Sequence, residues 1–347
     1  MEDESEPLDP PRSDGPPRAA NADDAAIAPA TIGRVLRGDA KAYDVLTDAG
    51  EIVRAAPRGR LFEELGEVKN PVAVGDRVRV SESGDPLGIE EILPRENSLS
   101  KISSSHDPRR QVLFANVDQV ILVSSLGKPG FSSNRTDRIL AACRFEEIDA
   151  CLLINKVDLD PGGEAEAIRE TYRGAGYEVL ETSATDATGL EALRDRLHGK
   201  VSVLYGASGV GKSTLLNALY GLDLKVGKIS RYWSSGKHTT TFSRWIPIEV
   251  DGEREAGTVV VDTPGIRVFR LWGVNRRQLR HLYPDFEPYN DKCRFPNCSH
   301  DHEPGCAVDD AVEAGRIAAT RYLSYVEILD ELDPPPEDVE TVLPPAE

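Results

Sequence analysis

Residues Gly206–Ser213 read G-A-S-G-V-G-K-S, a match to G-x4-G-K-[ST] that follows the apolar run Val201–Tyr205 and opens the helix-like stretch Ser213–Leu219. Strand, glycine-rich turn and helix in that order are what a phosphate loop requires, so the middle of the chain must contain an α/β sheet. Gly206, Gly209 and Gly211 let the backbone aim N–H groups at phosphate oxygens, where the helix N-terminus adds partial positive charge. The run from Gly206 to Thr214, with Ala207, Ser208 and Val210, is assigned to the nucleotide. Lys212 is expected to reach the β- and γ-phosphates, and the Ser213 hydroxyl to bind Mg²⁺.

The surrounding texture fits such a sheet. From Asn116 onward, apolar runs (Val117–Ser124, Cys151–Ile154, Tyr177–Leu180, Val201–Tyr205, Thr258–Val261) alternate with helical patterns at Arg135–Arg144, Glu164–Gly174 and Gly189–Leu197. Runs of this length suit parallel strands buried on both faces. Between Thr31 and about Lys101 the runs are shorter and broken by Gly, Pro and Asp, which predicts a small barrel, either of the oligonucleotide-binding (OB) type or SH3-like. No internal repeat is visible.

Asn155-Lys156-Val157-Asp158 directly follows the run Cys151–Ile154. The Asp158 carboxylate can accept from the guanine N1–H and 2-amino group, a pair adenine does not offer, so a site built on that contact rejects ATP. Asn155 is expected to stitch this turn to the phosphate loop, with the Lys156 stem over the base. Ser183 and Ala184, in Thr182-Ser183-Ala184, would bring backbone close to the guanine carbonyl. Asp262-Thr263-Pro264-Gly265 ends the run Thr258–Val261; Asp262 is the expected outer-sphere Mg²⁺ carboxylate and the Gly265 N–H the γ-phosphate donor. In the loop between, Thr240 is the first choice for a further Mg²⁺ hydroxyl and Thr241 the second. Ile266 stands where many GTPases place a water-orienting Gln, and an apolar side chain cannot do that work. Intrinsic hydrolysis should be slow, and His238 is the candidate catalytic group, with a solvent-facing loop histidine the alternative.

The order is unusual, because the guanine elements precede the phosphate loop. A circularly permuted chain can form the same sheet, since domain termini often lie close together. The segment Asp262–Gly265 then leads straight into Cys293-x4-Cys298-x-His300-x5-Cys306. Three thiolates and one imidazole make a closed tetrahedral set for one structural zinc, with His302 a rival to His300. Cys143 and Cys151 stand apart and are expected to be buried thiols.

The formal charge of the 347 residues is −18, which as a whole-chain value argues against a protein that coats nucleic acid through a basic surface. The two ends, 1–30 and 327–347, hold fourteen of those charges and leave −4 for 31–326. Both are rich in Pro, Ala, Asp and Glu and are expected to be disordered. Basic residues gather without acids at 225–244 and at 267–281, beside the nucleotide motifs, which suits phosphate-backbone contacts. No run of about 18 apolar residues and no leader pattern is present, so a cytoplasmic protein without a membrane partner is expected.

The permuted order N-K-V-D, T-S-A, G-A-S-G-V-G-K-S, H-T-T-T, D-T-P-G, followed by the Cys/His cluster, resembles the ribosome small-subunit-dependent GTPase A family (RsgA, also called YjeQ or EngC). Pro71–Val78 (P-V-A-V-G-D-R-V) and Ile92–Leu99 (I-L-P-R-E-N-S-L) resemble it too, and the likeness spans about residues 31–330. It implies an OB fold, a permuted GTPase domain and a zinc domain that together bind the small ribosomal subunit and its rRNA late in maturation, with GTP hydrolysis stimulated by that subunit. It also implies a catalytic role for His238. The acidic ends depart from it. The expected layout is a multidomain chain: acidic tail 1–30, OB-like β-barrel 31–105, circularly permuted α/β GTPase domain 106–274, helical zinc-binding domain 275–332 and acidic tail 333–347, acting as a monomer on GTP and GDP. The alternative is a GTP-controlled RNA or protein binding module in which hydrolysis is incidental, and a permuted GTPase of the large subunit is a further rival.

Overall fold

The structure, a computed structural model, describes residues 30–39, 42–64, 66, 68–104, 106–160, 162–221, 243–250, 253–263 and 269–332. The expectations for His238, Thr240, Thr241, Gly265, Ile266, the basic residues of 225–241, Arg267 and the acidic stretches 1–29 and 333–347 lie outside the described residues, whereas Glu327–Glu331, counted above with the disordered C-terminal end, are helical instead.

Strands β1 (Thr31–Gly38), β2 (Tyr43–Thr47), β3 (Ile52–Pro57), β4 (Arg77–Gly84) and β5 (Leu87–Ile92), with helix α1 (Gly59–Glu64) after β3, form the N-terminal unit. Their order, β1-β2-β3-β5-β4 with β4 paired back onto β1, closes a barrel with one parallel pair, β3/β5. This five-stranded closed topology is the OB arrangement, which decides between the two barrels expected. Alternation along the strands turns Val35, Val45, Ala55, Val78, Val80 and Ile89 inward on Leu61 of α1.

A hairpin, β6 (Ser98–Ser104) and β7 (Asp107–Ala115), links the barrel to the next sheet. The joint turns on Gly75 and Asp76. Gly75 has φ +92°, and a Cβ there would stand 2.0 Å from the Ala115 carbonyl oxygen. Its own carbonyl accepts from Arg34 Nη1 at 3.1 Å and Asn116 Nδ2 at 3.0 Å. The fully buried Asp76 carboxylate accepts from the Ala73 N–H and from Arg95 Nε and Nη2 at 2.7–2.8 Å.

The second sheet continues from the first. Strands β8 (Gln119–Ser125), β9 (Asp149–Asn155), β10 (Glu178–Thr182), β11 (Val201–Tyr205), β12 (Arg244–Val250) and β13 (Glu253–Asp262) lie in the order β10-β9-β8-β11-β13-β12. The first five are parallel and β12 is antiparallel to β13. β12 also pairs with β1 of the barrel at Arg244 and Arg37, and Arg34 stacks 4.7 Å over the Trp245 ring beside that junction.

Helices α2 (Ser133–Phe145), α3 (Glu164–Gly174), α4 (Leu190–Leu197) and α5 (Lys212–Tyr220) connect these strands. Leu193, Leu197, Leu215, Leu216 and Leu219 cover one face, on Ile121, Val123, Leu153 and Leu204. The other face packs on α2 and on the C-terminal segment, where α6 (Arg276–Leu279), α7 (Ala307–Glu313) and α8 (Ala319–Glu331) follow. The apolar-polar pattern from about Ala307 to Leu332 predicts one final helix, but the structure has two; Gly315 at φ +69° follows the first, and the Arg316 and Ile317 N–H groups bond back to the Ala311 carbonyl. Cys143 and Cys151 are fully buried, as expected. Among the described residues no helix is long and apolar enough to cross a membrane.

The C-terminal segment is locked to the sheet by a buried cation. Arg321 of α8, 1% exposed, donates to both Asp285 oxygens at 2.7 and 3.0 Å and to Asp137 of α2. Tyr172, Tyr177 and Tyr283 ring the guanidinium, with centroids 4.7–5.4 Å away. Removing one member of such a set leaves buried charge uncompensated. Arg321→Ala should therefore lower unfolding stability by about 3–5 kcal/mol, read from the denaturant midpoint.

Candidate functional site

The phosphate-loop sequence lies where the carboxyl end of β11 meets the first turn of α5. Gly206 passes so close to β8 that a Cβ would stand 2.3 Å from the Val123 carbonyl oxygen. Gly211, at φ +102°, presses against Asn155, with 2.3 Å from its Cβ position to Nδ2. The backbone N–H groups of Ser208, Gly209, Gly211, Lys212 and Ser213 turn to no acceptor among the described residues, which leaves a concave set of donors at a helix start. Ser208, Gly209 and Thr214 are exposed, Ala207 and Ser213 half-buried, Val210 buried.

Lys212 is buried at 8% exposure, its Nζ donating to the carbonyls of Gly206 (2.7 Å) and Ala207 (3.3 Å). Burial pushes its pKa down, and the Asp262 carboxylate pushes it back up. Burial raises Asp262 in turn, against Lys212 and Arg244. Asp262 ends β13, paired in register with Leu204 on one side and Arg244 on the other, and the following Thr263 hydroxyl donates to the Leu204 carbonyl at 2.9 Å. A carboxylate, an ammonium and unpaired N–H donors thus share one end of the sheet.

The adjoining turn is held to the phosphate loop as the sequence predicts. Asn155, 2% exposed, donates from Nδ2 to the Val210 carbonyl at 2.8 Å and accepts from the Thr182 hydroxyl at 3.1 Å. One side chain therefore ties the ends of β9 and β10 to the loop after β11. Lys156, in the left-handed region at φ +64°, donates from Nζ to the Gly209 carbonyl at 2.7 Å. Asp158 sits exposed in the one-turn 3-10 helix Val157–Leu159, its carboxylate hydrogen-bonded to no described residue. Ser183 is buried, its hydroxyl accepting from the Thr185 N–H at 3.1 Å, and Ala184 is half-buried beside it.

Sequence reasoning missed the loop after β8. Lys156 Nζ also donates to the Lys128 carbonyl at 3.2 Å, and the Ser125 hydroxyl donates to the Pro129 carbonyl at 2.9 Å. Gly-Lys-Pro-Gly after an apolar run marks only a turn; its position beside the phosphate loop comes from strand order.

The four Cys/His residues converge. One ligand atom from each of Cys293, Cys298, His300 and Cys306 lies within 4.8 Å of the others, a set that could hold a metal ion. His300 Nδ1 is 3.5 Å from Cys293 Sγ and 3.4 Å from Cys306 Sγ, while Nε2 bonds Asn290 Oδ1 at 2.8 Å. That outer bond places the proton on Nε2 and leaves Nδ1 free to ligate. Burial, with Arg280 nearby, lowers His300 to about 4, so it is neutral at physiological pH. The Ala307 and Asp309 N–H groups point at Cys293 and Cys306 Sγ at 3.3 and 3.4 Å, suited to thiolates. His302 is outside the set.

Of the arginines in 267–281, those that the structure describes divide. Arg276 donates to the Leu329 carbonyl and Arg280 to those of Pro296 and Cys298, so both also serve the C-terminal fold. Helix-end and metal-loop carbonyls need donors, and long guanidinium groups reach them. Arg277 is exposed.

Residues 92–272 match the model of the RsgA GTPase family. The small ribosomal subunit biogenesis GTPase RsgA of Gemmatimonas aurantiaca is 38% identical over 307 residues, covering 87% of this chain and 97% of that protein. That of Chlorobaculum parvum is 39% identical over 313 residues, covering 87% and 98%. The chain belongs to the RsgA GTPase family. The crystal structure of YjeQ from Thermotoga maritima superposes with a TM-score of 0.64 at 32% identity, covering 87% of this chain and 98% of that one. YloQ, a circularly permuted GTPase, gives 0.60 at 29%, covering 89% and 96%. An RsgA GTPase is a GTP-hydrolysing enzyme, and the permuted order fits YloQ.

Asn155→Ala should remove both stitches and strand the Val210 carbonyl and Thr182 hydroxyl. The expected cost is about 1–3 kcal/mol of stability, with weakened GDP binding, measured by thermal unfolding with and without GDP.

Proposed function

We propose that this chain hydrolyses GTP to GDP and phosphate while bound to the small ribosomal subunit during its late maturation, and that the subunit stimulates the reaction. The observation that supports the assignment of the site is the bond from Asn155 to the Val210 carbonyl, which joins a guanine-selective turn to a phosphate loop. The partner rests on the names of relatives that match nearly their whole length.

In this reading Asp158, exposed and unpaired among the described residues, accepts from the guanine edge, with Ser183 and Ala184 behind it. The donors of Gly206 to Thr214 hold the phosphates, and Lys212 exchanges two loop carbonyls for phosphate oxygens, a better partner for an ammonium. Ser213, Thr240 and Asp262 would hold Mg²⁺, which when bound neutralises developing phosphate charge. The Gly265 N–H meets the γ-phosphate, and His238 orients the attacking water in place of the Gln that Ile266 excludes. The domain borders proposed are 31–105, 106–274 and 275–332. Cys293, Cys298, His300 and Cys306 would hold one zinc ion in a structural role. The enzyme works as a cytoplasmic monomer.

GTP turnover with purified small subunits should exceed turnover without them by at least about tenfold; equal rates would overturn the partner. His238→Ala should abolish that stimulation and leave GDP affinity unchanged, and unchanged stimulated turnover would remove His238 from the mechanism. Elemental analysis should find one zinc per chain, lost in Cys306→Ser together with a lowered unfolding midpoint.

A further inference from the structure

The sheet order reverses between β8 and β11. From β8 the chain winds outward through β9 to β10, and from β11 it winds the other way to β13 and β12. In an open α/β sheet a ligand sits in the crevice at the carboxyl ends of the two strands flanking such a reversal, so it must touch the loops after both. One of those loops is the phosphate loop. The other, Gly127–Gly130, has no role in the nucleotide site proposed above.

This second loop is fastened to both halves of the site. Its Lys128 carbonyl accepts from Lys156 Nζ, the ammonium that also reaches the Gly209 carbonyl. Pro129 Cδ stands 3.5 Å from the Cβ position of Gly209, and the Cβ position of Gly127, at φ +81°, is 3.6 Å from Leu159 Cδ1 in the turn that presents Asp158. The loop therefore spans from guanine turn to phosphate loop, alongside the part of a nucleotide that joins base to phosphates. At its apex Lys128 is exposed, and its ammonium has no hydrogen bond or ion pair with a described residue. Lys156 and Lys212, by contrast, already donate to backbone carbonyls.

We propose that Lys128 is a further nucleotide-binding residue, its ammonium donating to the α-phosphate of the bound guanine nucleotide. The proposal rests on the nucleotide site assigned above and adds a third wall to it. A charge-assisted bond of this kind at a half-open rim is worth about tenfold in affinity.

The test uses the full chain and three ligands, GDP, GMP and guanosine, by competition calorimetry. Lys128→Met should weaken GDP and GMP by about tenfold each and leave guanosine unchanged, and Lys128→Arg should keep all three within about twofold of the parent. Unchanged GDP affinity in Lys128→Met overturns the proposal. So does an equal loss for guanosine, which would mean that the loop itself had been damaged. Because the side chain is exposed, the unfolding midpoint should not move; if it does, Lys128→Gln is measured in its place. Lys212→Ala separates the two levels. If it leaves GDP binding intact, the nucleotide site fails and Lys128 with it, whereas loss of GDP binding in Lys212→Ala beside an unaffected Lys128→Met refutes Lys128 alone.

Discussion

The pairing of β8 with β11 is the constraint on which the molecule depends. It joins Gln119–Leu122 to Ser202–Tyr205, strands some eighty residues apart, and in a permuted chain no short connection enforces it. What enforces it is burial. Ile121 and Val123 on one face and Val120 and Leu122 on the other are matched by Leu204 and Val203, so a slip of one residue would turn each set to the wrong side. With register fixed, Val123 meets Gly206, and the loop after β11 emerges beside the turn after β9. The close approaches of Gly206 and Gly211 are the local price of that arrangement, and only glycine tolerates them.

Much of this was legible because motifs and strands coincide. The N-K-V-D turn had to follow a strand to present Asp158, and the apolar run Cys151–Ile154 supplied one; helix Glu164–Gly174 follows with the expected bounds. The bond of Asn155 to the phosphate loop was readable from chemistry alone. Strand β12 was not, since R-W-I-P-I-E-V holds a proline and alternates weakly, and what makes it a strand is partnership with β13 and β1. The carbonyl bonds of Arg276 and Arg280 were not legible, because charge in sequence does not reveal which carbonyls lie within reach. Barrel type also escaped, as the parallel β3/β5 pair that distinguishes it is a long-range contact.

Two joints hold the three parts in one frame, and they differ in chemistry. At the C-terminal joint, apolar side chains of α2 and α8 merge into a single core around Arg321, and Tyr325 Oη reaches the Ser299 carbonyl in the metal loop at 2.6 Å. At the barrel joint, turns and paired charges around Gly75, Asp76 and Arg95 stand beside apolar contact, since Leu36 and Val74 belong to the same buried cluster as Leu99, Phe114 and Trp245. The segments whose wording resembles the family, Pro71–Val78 and Ile92–Leu99, supply those residues, which gives that likeness a physical reason. A metal loop sharing a core with the catalytic sheet will not loosen alone, because parting them would expose apolar surface.

An open sheet has two raw borders, each able to recruit a strand from a neighbouring molecule. On one side β12 is covered where β1 lies against it, so the barrel acts as a cap that keeps copies of the chain from zipping together. On the other, β10 is only five residues long and sets Glu178 and Glu181 along its length, a strand too short and too charged to template another. Loss of the N-terminal barrel would thus threaten solubility before it threatened chemistry.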